Sequence, residues 1–133
     1  MYTVKEISEI TGISSHTIRF YDNEGLFPFT KRSKTNVRLF PEEYLEWIHF
    51  IHCLRDTGMP LAEIKTYIAL AKEGDSTSKE RYNMILKQKE KAEQDVINMQ
   101  KRVALLDKKL DYYKKLEFEG NDDFMNPSNC IFK

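Results

Sequence analysis

The chain has 133 residues, which suffices for one compact domain with an extension and not for two ordinary domains. Its 21 basic and 21 acidic side chains cancel, so bulk charge names no partner. The longest apolar run is the five residues Tyr67 to Ala71, against roughly 20 for a membrane span. The start Met1-Tyr2-Thr3-Val4-Lys5 shows no secretion signal, so a soluble, cytoplasmic protein without a membrane partner is expected.

The elements follow in chain order. Thr3-Val4-Lys5-Glu6 fits a capping box, and Val4, Ile7 and Ile10 then keep helical spacing until Gly12. A second helix begins at Ser14, carries Ile18 and Tyr21 inward, and ends near Gly25. Two short helices around Thr11-Gly12-Ile13 make a helix-turn-helix pattern. Phe27 to Thr30 and Val37 to Phe40 are β-compatible and predict a two-stranded wing with Thr35-Asn36 at its tip. Between and beside these strands lie Lys31, Arg32, Lys34 and Arg38, four cations in eight residues without an acid. Pro41 suits the first turn of a third helix with Tyr44, Leu45, Trp47, Ile48, Ile51 and Leu54, ending at Gly58. Pro60 starts a fourth helix with Leu61, Ile64, Ile68 and Leu70, ending at Gly74. The third and fourth helices form a second helix-turn-helix. The fold class expected is mainly α, with only five Gly and four Pro arguing against a turn-rich all-β protein.

Thr77-Ser78-Lys79-Glu80 reads as another capping box and opens the longest element. From Tyr82 the positions Tyr82, Ile85, Lys89, Ala92, Val96, Met99, Val103, Leu106, Leu110 and Tyr113 step by three and four, and only Lys89 is not apolar. That is a heptad seam. No Gly or Pro interrupts residues 78–118, a helix about 60 Å long. A 75-residue head cannot cover so long a seam, and the chain holds no second long helix. Homodimerisation is therefore expected on physical grounds. The expected division is residues 1–75 as the helix-turn-helix and wing head, 76–118 as the dimerisation helix and 119–133 as a short tail, where Phe124, Met125, Ile131 and Phe132 are candidates to dock on the partner.

The residues Thr17-Ile18-Arg19-Phe20-Tyr21-Asp22, Gly25-Leu26, Arg38-Leu39-Phe40 and Thr57-Gly58-Met59-Pro60-Leu61, in this order after Tyr2 to Ile7 and Gly12-Ile13-Ser14, resemble the MerR family of bacterial transcription regulators. The resemblance covers nearly all of residues 2–72. It implies a winged helix-turn-helix whose second helix-turn-helix acts as another wing. It also implies an antiparallel coiled-coil dimer on a palindromic operator between over-spaced promoter elements. The partners implied are double-stranded DNA, a second copy of the chain, and RNA polymerase at a promoter whose DNA the regulator distorts. The N-terminal end of a recognition helix enters the major groove, so Ser15, His16, Thr17 and Arg19 are the candidate base or phosphate contacts. Phe20 and Tyr21 match an aromatic pair that touches the DNA backbone in relatives, where position 20 is usually Tyr. Lys31, Arg32, Lys34 and Arg38 are expected to line phosphates, and Lys65 matches another backbone contact. Asn36 and Val37 depart from the Gly and Tyr common at those wing positions.

Cys53, in His49-Phe50-Ile51-His52-Cys53-Leu54-Arg55, looks like the trigger of the thiol-based, NmlR/AdhR-like branch that answers aldehydes, electrophiles or nitrosative stress. A thiol becomes reactive where cations stabilise its thiolate, and His49, His52 and Arg55 are near in sequence. The bland alternative is a small buried hydrophobe. A metal-responsive regulator of the same fold is a rival, since His49, His52 and Cys53 offer donor atoms, but only Cys130 stands where metal-sensing relatives carry paired cysteines. No metal and no cofactor are therefore expected. A bridge between Cys53 and Cys130 is left open by the sequence. An enzyme using Cys53 with a histidine lacks a separated acid, base and oxyanion set, and no Gly-rich phosphate loop is present. A coiled-coil adaptor that binds protein through its helix-turn-helix is the remaining alternative.

Overall fold

The computed structural model describes residues 1–120 and Asn126, except the side chains of residues 118 and 119. Cys130 and the tail residues Phe124, Met125, Ile131 and Phe132 lie outside the described residues. Two compact units are present, Met1–Lys89 and Glu90–Lys133.

Helix α1 (Val4–Thr11) opens on the expected box: Glu6 N–H donates to Thr3 Oγ1 and Thr3 N–H to the Glu6 carboxylate, both at 3.2 Å. Gly12, at φ 77°, ends it in the left-handed region. Ser14 then caps α2 (Ser15–Asn23), its Oγ accepting the Thr17 N–H at 3.1 Å. Ile18 and Tyr21 face inward from α2 and Ile7 from α1, all within the core.

The wing begins later than the sequence suggests. Phe27 is buried with edge-on contacts to Tyr21 and Phe40, and Thr30 N–H closes a turn back to Phe27 O. Pro28 has no N–H to offer a ladder. The residues 27–30 are thus an anchor and turn, and pairing starts at β1 (Lys31–Arg32) against β2 (Arg38–Leu39). The strands are antiparallel, Lys31 opposite Leu39 and Arg32 opposite Arg38. Asn36 takes φ 63° at the tip, a conformation Asn tolerates, and its N–H donates to Ser33 O at 2.9 Å. Beyond β2, Phe40 is fully buried and exchanges backbone bonds with Tyr2 at 2.7 and 2.8 Å, tying the N-terminus under the wing.

Pro41 does not start regular helix. It stays extended (ψ 140°), a short 3₁₀ turn follows over Glu42–Tyr44, and α3 runs Leu45–Asp56. Tyr44 is consequently exposed, stacked on Phe29 at 4.2 Å, while Ile48, Ile51 and Leu54 fill the core. The corner at Gly58 has φ 87° and leads through Met59 and Pro60 into α4 (Leu61–Glu73).

Thr77 corrects the second expected capping box. It lies in a 3₁₀ turn, Asp75–Thr77, is 3% exposed, and its hydroxyl points back to Leu70 O and Gly74 O at 2.7 and 2.8 Å. The reason is the end of α4, whose last carbonyls lack helical partners. Arg81 Nε–H donates to the same oxygen. Helix α5 (Ser78–Glu119) is 42 residues long. Its first turns pack on the head through Met84 and Gln88, and the buried Gln88 amide donates to Thr57 O at 2.9 Å in the α3–α4 corner. The seam residues named above lie on a neighbouring stripe, and all are exposed, Val96 at 57% and Leu110 at 61%. Leu86 and Ile97 flank that stripe and are also exposed.

Candidate nucleic-acid interface

Helix α2 sorts its side chains by its own period. Ile18 and Tyr21 are buried, while His16, Arg19, Phe20 and Asn23 form one exposed row at i, i+3, i+4 and i+7. Phe20 is 42% exposed, which a plain core residue would not be. Ser15 and Thr17 are half-buried, and the Thr17 hydroxyl already accepts from Ser14 Oγ at 2.8 Å. The Tyr21 ring lies in the core, and its hydroxyl is 3.1 Å from His52 Nδ1 on α3. The opposite ring nitrogen of His52, Nε2, is 3.5 Å from Asp56. His52 thus bridges Tyr21 on α2 and Asp56 one turn further along α3. Burial, with the Asp56 carboxylate adding to it and Arg55 opposing, raises the Tyr21 pKa above 10.0.

The four wing cations divide into two kinds. Lys31, Arg32 and Lys34 are exposed, and Arg32 donates to Asn36 O at its own tip. Arg38 turns away from the strand face and braces α2: it donates to Asn23 Oδ1 at 2.7 Å and Arg19 O at 3.3 Å, and pairs with Asp22 at 3.5 Å. Two arginines stand directly opposite in the ladder, and like charges there are unfavourable. Sending one guanidinium to the acceptors of α2 resolves the conflict. Lys65, one turn into α4, pairs with Glu24 at the end of α2, Nζ to Oε2 at 3.0 Å. The recognition helix is thus tied to β2, α3 and α4 through Arg38, His52 and Lys65. None of these ties is a local sequence pattern, since each partner lies 15 to 41 positions away.

On the other side of α3, Cys53 is exposed with its Sγ 3.6 Å from His49 Nε2. Of the three neighbouring cations expected around it, the structure brings up His49 alone. His52 faces Tyr21, and Arg55 donates to Met59 O at 3.1 Å. The thiol opens on an apolar groove of about 570 Å³ between α1 and α3, walled by Ile10, Leu45 and Phe50. Cys53 is therefore not a buried hydrophobe. Among the described residues no group of three or more His, Cys, Asp or Glu is placed to hold a metal ion. No helix among them is long and apolar enough to cross a membrane.

The helix-turn-helix, wing and second helix-turn-helix define a nucleic-acid-binding head, followed in the chain by a long helix. The family model for the MerR HTH family regulatory proteins matches residues 2–70, and that described as MerR, DNA binding matches residues 45–111. The chain belongs to the MerR family and is a DNA-binding transcription regulator. An uncharacterised HTH-type transcriptional regulator of Haemophilus influenzae is 34% identical over 125 residues, 94% of this chain and 93% of the relative. The HTH-type transcriptional regulator AdhR of Bacillus subtilis is 31% identical over 88 residues, 66% of this chain and 63% of its own length. The crystal structure of HiNmlR, a MerR family regulator lacking the sensor domain, bound to promoter DNA, superposes with a TM-score of 0.74 at 32% identity, covering 97% of this chain and 98% of that one. These likenesses place the chain with the NmlR/AdhR-like branch.

Proposed function

We propose that the chain acts as a homodimer on a palindromic promoter operator, distorting the duplex to control access of RNA polymerase. In this reading residues 1–75 bind DNA, 76–118 dimerise through an antiparallel coiled coil, and 119–133 form a tail. The observation that supports it best is the exposed seam from Tyr82 to Tyr113 on α5. Ile85, Ala92, Val96, Met99, Val103, Leu106, Leu110 and Tyr113 form the pairing stripe. A row of apolar side chains in water is removed by a second copy at about 25 cal/mol per Å² of apolar surface. His16, Arg19 and Phe20, flanked by Ser15 and Thr17, face the major groove. Lys31, Arg32, Lys34 and Lys65 meet phosphates, and Arg38 and Tyr21 hold the reading helix rather than contact DNA first. No residue is assigned a catalytic role. The test is binding of palindromic against scrambled duplexes by wild type and by Leu106→Glu. Preference for the palindrome is expected in wild type and loss of dimer and preference together in the variant; a monomeric wild type, or equal binding of both duplexes, rejects the reading.

Cys53 is the proposed trigger of the regulator. Its exposed thiol, the adjacent His49 and the groove beside them support covalent capture of an aldehyde or other electrophile. An adduct there adds bulk between α1 and α3, next to the helix-turn-helix. Promoter activity with and without an aldehyde decides it: Cys53→Ala is expected to abolish the response while keeping DNA binding. An unchanged response removes the sensor role.

A further inference from the structure

We propose that Glu24 sets the strength of DNA binding by competing with phosphate for the Lys65 ammonium; this rests on the reading of Lys65 as a backbone contact. Glu24 is the C-cap of α2. That is the negative end of the helix dipole, where a carboxylate is unfavourable, so helix stability does not explain an acid there. Among the described residues, the Glu24 carboxylate accepts from the Lys65 ammonium at 3.0 Å. The two side chains are 35% and 47% exposed, so water and ions reach both ends of the pair and it exchanges readily. The neighbouring Arg38–Asp22 pair is different: its side chains are 17% and 11% exposed, and Arg38 makes two further hydrogen bonds. Arg38 is a fixed brace, whereas Lys65, among the described residues, is held by one replaceable anion.

A carboxylate 3.0 Å from an ammonium occupies the place a phosphate oxygen takes in a charge-assisted contact. When Lys65 turns to DNA, two costs follow. The existing pair is lost, and the released Glu24 anion stands beside the DNA backbone, where it takes back part of the cation atmosphere that binding has expelled. Glu24 thus lowers both the affinity and its dependence on salt. It does so without touching a base, and so acts equally on cognate and other sequences.

The test uses the full chain and a mixed-sequence DNA duplex, read by fluorescence anisotropy across a salt series, so no operator is needed. Circular dichroism controls for folding. Glu24→Gln keeps the size of the side chain and removes the charge. It is expected to tighten binding at low salt by about three- to tenfold and to steepen the salt slope by roughly one unit for each protomer bound. Lys65→Gln is expected to weaken binding and flatten the slope, and in that background Glu24→Gln should lose most of its effect. If Glu24→Gln matches wild type while Lys65→Gln weakens binding, the competition is refuted and the phosphate role of Lys65 stands. If neither changes affinity, the phosphate role fails and the competition with it. If Glu24→Gln tightens binding as much without Lys65, Glu24 acts by bulk repulsion and the proposal is overturned.

Discussion

Arg38, a cation of the wing, is engaged with the neighbouring helix α2. Its three acceptors sit on the last turns of α2, two of them side chains of Asp22 and Asn23. Arg38→Ala leaves a poorly exposed carboxylate without its cation and releases the wing from the reading helix. The expected loss is about 1–3 kcal/mol of folding stability, measured by urea unfolding, together with weaker DNA binding. Alanine at the exposed Lys34 is expected to leave stability unchanged, to weaken DNA binding and to flatten its salt slope. Tyr21 adds a pH effect. Its phenol pKa is raised in the folded chain, so the fold keeps a proton that the unfolded chain loses. Stability from this source is complete below the ordinary value of 10.0 and declines as pH rises above it. Thermal melts should show that alkaline decline reduced in Tyr21→Phe, at a cost near neutral pH of about 1 kcal/mol for the lost His52 bond.

Among elements, the joint between the second helix-turn-helix and α5 is the most exacting. Gly58 needs its φ of 87°, while a Cβ there would lie at ordinary contact distance, 3.9 Å, from the Gln88 amide, so backbone strain is the obstacle. Gln88 is buried and its donor is spent on Thr57 O. Gln88→Leu keeps the apolar packing and orphans that carbonyl, so a loss of about 1–3 kcal/mol is expected in denaturant melts. Gly58→Ala strains the corner by about 1–2 kcal/mol, and the same melts read it. The wing tip is gentler. Asn36→Gly suits the left-handed turn and should hold stability within about 0.5 kcal/mol, whereas Asn36→Val, β-branched at positive φ, should loosen the wing and weaken DNA binding.

For the whole molecule the decisive quantity is the state of the seam. Sedimentation should show a dimer in wild type, and Val96→Glu should give a monomer whose head still folds, because Val96 lies in the second compact unit and the core lies in the first. A monomer from wild type at micromolar concentration removes the dimer and the palindrome together. Charge acts at this scale through place rather than sum. A neutral chain still presents Lys31, Arg32 and Lys34 on one acid-free wing, so binding should fall steeply with salt.

Local rules made much of this legible. Thr3 with Glu6, Gly12 and Ser14 mark the first helix-turn-helix because caps and left-handed glycines act within a few residues. The step of three and four from Tyr82 onward marks the seam because a helix repeats its faces wherever it lies. Local preference gave way where a distant partner offered the stronger contact. Phe27 left the strand for a core formed with Phe40, and Thr77 left its capping box for the carbonyls of α4. The pairing of Arg38 with Asp22 and Asn23, of Lys65 with Glu24 and of His52 with Tyr21 was equally hidden, since nothing in sequence spacing relates groups so far apart. The order of elements, the exposed seam and the location of the cations were determined by the sequence itself, through backbone preference and hydrophobic period. Which cations are left exposed, and which are engaged with α2, was decided only by the tertiary structure, because packing alone chooses the acceptor each long side chain can reach.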